Sequence, residues 1–247
     1  MRIFTFASRN TKEITRDILT LIFGIAFPIV LLLLLSAINK GIPEGYGPDI
    51  FMISKLAPGI TVFGLSFLAL FSSMLIAKDR TTSFVLRLFT SPLKPSEFIL
   101  GYTLPMIPMA LVQTAVCYIC ALFLGLPFSV NLIVAVFVNL PIAIVFISLG
   151  LLFGSILNEK AVGGVCGALL TNLSAWCSNI WFDTAMVGGA FKTVADLLPF
   201  SHAVNAARSA VAGDFAAIFP DLWWVIGYAV VLLAAAVTVF AMKLKKN

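Results

Sequence analysis

The chain has 247 residues, of which 61% are apolar and 11% charged, with a mean hydropathy of +1.07 and a net charge of +5. A soluble domain averages about 45–50% apolar and about 25% charged residues. The composition therefore excludes an ordinary soluble enzyme, a disordered chain and a disulfide scaffold, and predicts an all-α integral membrane protein.

Residues Arg2 to Asp17 are charged and amphipathic, with Ile3, Phe4, Phe6, Ala7 and Ile14 as the apolar set. They predict an N-terminal amphipathic helix. A transmembrane helix needs roughly 20 apolar residues, and the stretches free of Asp, Glu, Lys and Arg run over 18–39, 56–77, 98–158, 161–182 and 222–242. The third would be about 90 Å long as one helix, three times the bilayer core. It has one strong turn signal, Leu124-Gly125-Leu126-Pro127-Phe128-Ser129, followed by Asn131. Splitting it there gives six spans, at about 18–39, 56–77, 98–124, 131–157, 161–182 and 222–242, in a single domain over 1–247. The first span is full length, with no small-residue cleavage site before Lys40, so it is expected to be an uncleaved anchor.

Six spans put both termini on one side. That side holds Arg2, Arg9, Lys12, Arg16, Lys78, Arg80, Arg87, Lys94, Lys160, Lys243, Lys245 and Lys246; the other holds Lys40, Lys55, Lys192 and Arg208. The asymmetry makes both termini cytoplasmic. Cys117, Cys120, Cys166 and Cys177 all fall inside spans. Cys117-x-x-Cys120 lacks the partners of a metal or redox site, so these cysteines read as small buried apolar residues and no metal is expected.

The energy source is not in the spans. None of the 11 acidic residues lies within one, which argues against proton or sodium coupling. The chain has no Gly-Lys pair, hence no phosphate-binding loop, and no G-x-S-x-G or H-E-x-x-H. No catalytic residue is expected. What is left is a passive or structural membrane protein, or the membrane half of a machine driven by another polypeptide.

Between spans two and three, Phe84, Val85, Leu88 and Phe89 fall on one arc of a helix. Thr81, Thr82 or Ser83 can cap it, Pro92 ends it, and Arg87 lies off the apolar face. So short a helix is marginal alone in water; its apolar face needs cover from lipid, from neighbouring spans or from a groove on a cytoplasmic partner. The segment Ser83 to Leu93, with Arg87 and Thr90-Ser91-Pro92-Leu93 leading to Glu97, resembles the loop of ABC-2 type transporter permeases. Many relatives have Gly at the position of Ser83. The resemblance implies a coupling helix, made by Ser83, Phe84, Val85, Arg87, Leu88, Phe89 and Pro92, that docks on an ATP-binding subunit.

Between spans five and six, Met186 to Leu198 and Ser201 to Ala212 read as short helices, with Ser201 as a cap and Gly213 as a stop. Alone they fit a pair of interfacial helices. The spacing Pro199-Phe200-x-His202-x5-Arg208 resembles the C-terminal signature of the same family, matched loosely upstream at Gly188 and Gly189. That implies extracellular helices over the exit of the path. From the residues alone, capping, snorkelling or pairing with Asp196 or Asp214 accounts for His202 and Arg208 at least as well as substrate contact does.

Gly150-x-x-x-Gly154 and Gly163-x-x-x-Gly167, joined by the short link Asn158-Glu159-Lys160, predict that spans four and five pack as a hairpin. Pro28, Pro105, Pro108 and Pro141 are expected to kink spans. Gln113, Asn139, Asn172 and Asn179 should face protein or a cavity. Trp176, Trp181 and Phe182 suit an aromatic belt.

By resemblance, spans two and five line the path, which makes Phe63, Phe67, Asn172 and Trp176 candidates for substrate contact. The working unit would hold two permease chains, as homodimer or heterodimer, and two ATP-binding cassette ATPase subunits that bind ATP and Mg. This chain would carry no cofactor. The expected role is the permease of an exporter for a hydrophobic or amphiphilic substrate (drug, antibiotic, antimicrobial peptide or lipid) in a bacterial plasma membrane, with no nucleic-acid partner. The alternatives are an ATP-independent channel or secondary carrier, a polysaccharide or lipid-linked glycan exporter subunit, and an assembly factor or sensor without cargo.

Overall fold

The computed structural model describes residues 2–43, 49–81 and 94–246. Every regular element among them is helical. Five helices are long and apolar enough to cross a membrane: Ile22–Gly41, Ile53–Thr81, Pro95–Phe123, Asn131–Ile156 and Phe215–Lys243. The predicted coupling-helix residues Ser83, Phe84, Val85, Arg87, Leu88, Phe89 and Pro92 lie outside the described residues.

Helix α1 (Arg2–Arg16) buries Phe6, Asn10 and Ile14, at the i, i+4, i+8 spacing of one helix face. Phe4 stays 72% exposed. Helix α2 runs from Ile18–Leu21 through a π-helical stretch, Ile22–Ala26, into Phe27–Gly41. Helix α3 (Ile53–Thr81) is the centre of the bundle; almost all of its residues from Leu56 to Ala77 are buried. Helices α4 (Pro95–Thr103) and α5 (Met106–Phe123) make one crossing, broken at Leu104-Pro105. Pro105 has no N–H for the helical ladder, and the chain turns there.

Helix α6 (Asn131–Ile156) packs against α3 along Gly150 and Gly154. A Cβ on Gly150 would stand 2.2 Å from the Ala69 carbonyl oxygen, and one on Gly154 would stand 2.5 Å from that of Ser73. Lipid supplies no hydrophobic drive between spans, so small residues that let backbones approach govern association. This corrects one expectation: the motif of span four meets span two, not span five. Gly163 meets nothing within 4 Å, and Gly167 meets only the Leu70 side chain of α3.

Helix α7 occupies the region of the predicted fifth span and is not among the five helices above. It consists of Glu159–Val162, a π-helical stretch Gly163–Leu170, and Thr171–Trp176. It stops at Trp176, short of the expected 182, because Asn179 takes a left-handed φ of 59° and turns the chain. Three short helices follow, α8 (Thr184–Val187), α9 (Gly189–Leu197) and α10 (Pro199–Ala212). Pro199 opens α10 rather than lying between helices. The cap is not Ser201, whose hydroxyl donates to the Ala195 carbonyl at 2.9 Å. Gly213, at φ 80°, ends α10 as expected. Helix α11 (Phe215–Lys246) closes the bundle against α6 and α10.

Both ends of the chain meet at one end of the bundle. Phe98 touches Phe6 of α1 and Phe240 of α11, each at 5.8 Å between ring centroids. This is called the terminal end below, and the α8–α10 region the far end.

Candidate functional site

Three stations follow one another along α3. At the terminal end, α1 is clasped to the bundle. Asp79 is 2% exposed, and a carboxylate so buried must be paired to stay ionised. Arg9 Nη1 and Nη2 donate to its two oxygens at 2.5 and 2.8 Å, and the Tyr102 hydroxyl donates at 2.8 Å. The bidentate fork is the strong form of this interaction. The hydrogen bond to Asp79 holds the Arg9 guanidinium above its usual range, against a smaller opposing effect of burial. Asn10 Nδ2 donates to the Gly101 carbonyl at 3.0 Å. Phe6 packs edge-on to Tyr102 at 4.9 Å, where a Cβ on Gly101 would lie 2.3 Å from its ring.

The next residue, Arg80, points the other way. Its Nη1 donates to the carbonyls of Gly154 at 2.7 Å and Leu157 at 3.2 Å, which closes the C-terminal end of α6, where carbonyls lack helical donors and the dipole is negative. Beyond the 82–93 segment, Glu97 accepts from the Lys94 backbone N–H at 2.7 Å and starts α4. Phe98, on the first turn of α4, packs on Phe6 and Phe240, so both flanks of that segment are fixed to the bundle.

The second station is an aromatic wall. Phe63 and Phe67 sit 5.7 Å apart, edge to face. Phe27 lies 5.5 Å from Phe67, Phe23 lies 5.9 Å from it, and Trp181 lies 5.9 Å from Phe63. Phe63 and Phe67 are therefore buried within the chain. The other two candidates for the path lie elsewhere. Asn172 is exposed, with its Nδ2 bonded back to the Ala168 carbonyl at 2.8 Å, and Trp176 is 53% exposed one turn on. Trp181, not Trp176, reaches Phe63. Among the polar span residues, Gln113 and Asn139 are buried as expected, with Gln113 Nε2 on the Thr61 carbonyl at 3.1 Å. Asn172 lies on the outer surface of the single chain, because α7 turns it outward.

At the far end, Arg208 donates through Nη2 to the Asn179 carbonyl at 2.8 Å and through Nε to the Lys55 carbonyl at 3.2 Å. Burial lowers its pKa from the usual value. It ties the turn after α7 to the first turn of α3. His202 Nδ1 meets Asp221 Oδ1 at 2.5 Å and its Nε2 meets the Asp196 carbonyl at 2.9 Å. Neither residue pairs with Asp214, and Asp196 serves His202 through its backbone. Phe200 stacks on Phe146 of α6 at 5.8 Å, and Pro199 is buried beside it. The signature residues Pro199, Phe200, His202 and Arg208 therefore occupy α10 but reach different neighbours: α6, α11 with α9, and α3 with the turn after α7.

The family model for ABC-2 type transporters matches residues 1–212. The chain belongs to the ABC-2 type transporter family. Among curated proteins, ABC transporter G family member 20 of Dictyostelium discoideum is 24% identical over 218 residues, which cover 86% of this chain and 29% of that protein. The chain thus spans less than a third of the length of this relative. The chain is a multi-pass membrane permease domain of the ABC-2 type. ABC-2 permeases work with an ATP-binding subunit, and the family implies no cofactor site in the membrane domain.

Sequence reasoning missed Arg9, Asp79, Arg80 and Tyr102. Asp79 and Arg80 had one signal: they are charges within a few residues of an apolar run, where α3 continues through them to Thr81.

Proposed function

We propose that this chain is the permease subunit of an ATP-driven exporter that moves a hydrophobic or amphiphilic substrate, such as a drug, antibiotic, antimicrobial peptide or lipid. Both termini and the 82–93 segment face the cytoplasm, as the Lys and Arg distribution requires. A separate ATP-binding cassette subunit docks on the apolar face of Phe84, Val85, Leu88 and Phe89. In this reading Thr81, Thr82 or Ser83 supplies the cap, Pro92 the stop, and Arg87 stays off the docked face. A second permease chain completes the path by packing on the open face of α7, where Asn172 and Trp176 then line it with the aromatic wall. The membrane is a bacterial plasma membrane.

The observation that carries this proposal is the pair of fixed flanks around the 82–93 segment. Asp79 links one flank to α1 and α4, and Arg80 links it to α6. A push delivered to the end of α3 is therefore passed to α1, α4 and α6 at once. The Phe23–Phe27–Phe63–Phe67 cluster, buried at Phe63 and Phe67 and open at Phe23, offers no dense set of hydrogen-bonding groups, which favours an apolar cargo over a sugar polymer. The test is uptake of a fluorescent amphiphile into inside-out vesicles. ATP should drive it with ion gradients collapsed; uptake that needs an ion gradient and ignores ATP sinks the proposal.

A further inference from the structure

A cavity of about 1280 Å³ opens beside the clasp, between α1, the start of α2, the end of α3 and the first turn of α7. It exceeds the roughly 300–1,000 Å³ of an ordinary small-molecule pocket. Its two sides differ in chemistry. Phe71, Met74 and Leu75 of α3 make an apolar wall, and Lys12 and Arg16 of α1 make a cationic rim.

The ion pairs at the cavity leave Lys12 and Arg16 over among the described residues. Glu13 is held by Arg9 and Lys78, each at 2.9 Å, and Arg9 is committed to Asp79. Asp17 accepts the Thr20 hydroxyl at 2.7 Å. Glu159 lies in the first turn of α7, where the helix dipole favours a negative group. Lys12 and Arg16 are one turn apart on α1, both exposed, and among the described residues neither has a carboxylate within ion-pair distance. Phe4 lines the cavity at 72% exposure, and Ile18, next in sequence to the lining residue Asp17, is 70% exposed. A cationic rim over an apolar wall, entered past exposed apolar residues where a membrane span begins, fits one kind of occupant.

We propose that this cavity binds an anionic amphiphile from the adjoining membrane leaflet. Lys12 and Arg16 hold the anionic head, and an acyl chain lies along Phe71, Met74 and Leu75. The occupant touches α1 and α3 on either side of the Arg9–Asp79 clasp, so it sits against the elements that lead to the 82–93 segment. The site deepens the proposed exporter reading by naming the class of molecule taken in, and rests on that reading for its role in transport. The binding itself needs neither ATP nor a partner.

The test is photolabelling of the purified chain in nanodiscs, without ATP or ATPase. The probes are phosphatidylglycerol and phosphatidylcholine, each with a photoreactive group on one acyl chain, and the labelled peptide is read by mass spectrometry. The phosphatidylglycerol probe should label the peptide holding Phe71, Met74 and Leu75 in clear preference to the phosphatidylcholine probe. A surface cation contributes about fivefold to binding an anionic lipid, so Lys12→Gln with Arg16→Gln should lower labelling about 25-fold. Met74→Trp keeps both charges, fills the groove and should also suppress labelling. Both variants change exposed side chains, and an unchanged thermal midpoint checks that they fold. Equal labelling by the two probes, or labelling untouched by the charge-neutralising variant, overturns the proposal. Such a failure leaves the exporter reading standing, because that reading is decided by ATP-dependent flux.

Discussion

The Arg9 guanidinium and the Asp79 carboxylate, 70 residues apart in sequence, meet in a two-pronged ion pair at 2.5 and 2.8 Å. One partner is 2% exposed as a residue, while the other retains a 36% exposed side chain. The pair therefore joins a solvent-edge helix to the buried end of the central span. Breaking it leaves a charge in a poor environment, and that penalty outweighs the bond's net contribution.

Arg9→Met should strand the Asp79 carboxylate and lower stability by about 2–3 kcal/mol, at the upper end for hydrogen bonds to charged groups. Arg9→Met combined with Asp79→Leu should lose less than the first change alone, since no charge is then left buried. Thermal unfolding in mild detergent, run as a double-mutant cycle, measures both. Additive losses would show that the two groups act independently.

Among the described glycines, Gly150 and Gly154 are the ones where an added Cβ would collide with the backbone of another helix, that of α3. Gly150→Val or Gly154→Val places atoms where the backbone of α3 already lies and should cost at least the 1–3 kcal/mol typical of overpacking. Gly163→Ala, with nothing within 4 Å, should leave the unfolding midpoint of the single chain unchanged. A reversal of that order would contradict the helix pairing.

Arg208 reaches two backbone carbonyls that no shorter side chain can bridge at once. Arg208→Lys should free the turn at Asn179 and expose Cys177, which is 2% exposed in the intact chain. Maleimide labelling of Cys177 in a variant lacking the other three cysteines should rise several-fold. Arg208→Lys with unchanged labelling would reduce its role to that of a surface cation.

The far-end helices converge on His202. Its two ring nitrogens face Asp221 and the Asp196 carbonyl, and its ring lies 5.3 Å from that of Trp224. Trp224 itself donates to the Leu197 carbonyl at 3.2 Å. His202→Ala should loosen α9 from α11 and shift tryptophan emission to longer wavelength; with four tryptophans present, Trp224→Phe is the control that should remove the shift.

Much of this architecture was legible in the chain. Runs without charge mark helices because an unpaired charge in lipid is so costly, and the amphipathic face of α1 shows in the spacing of Phe6 and Ile14. Where α7 ends was not legible. Residues 177–182 are as free of charge as the span before them, and the turn there depends on the backbone of Asn179 and on Arg208, 29 residues on. The partner of Gly150 and Gly154 was also hidden. A small-residue motif declares that something comes close, not which helix does, and chain proximity pointed to α7 where packing selected α3. The clasp was invisible for a related reason: Arg9 and Asp79 look like two ordinary charges outside the predicted spans until the fold buries one of them.

Co-purification decides the central claim most directly. The tagged chain should be extracted from its native membrane in mild detergent and its companions identified by mass spectrometry, beside Phe84→Asp and Phe89→Asp variants. The account predicts a stoichiometric ATP-binding cassette subunit with the intact chain, lost from both variants while the spans stay folded by thermal unfolding. An ATPase retained at full stoichiometry by both variants, or a clean oligomer of this chain with no ATPase, would contradict it.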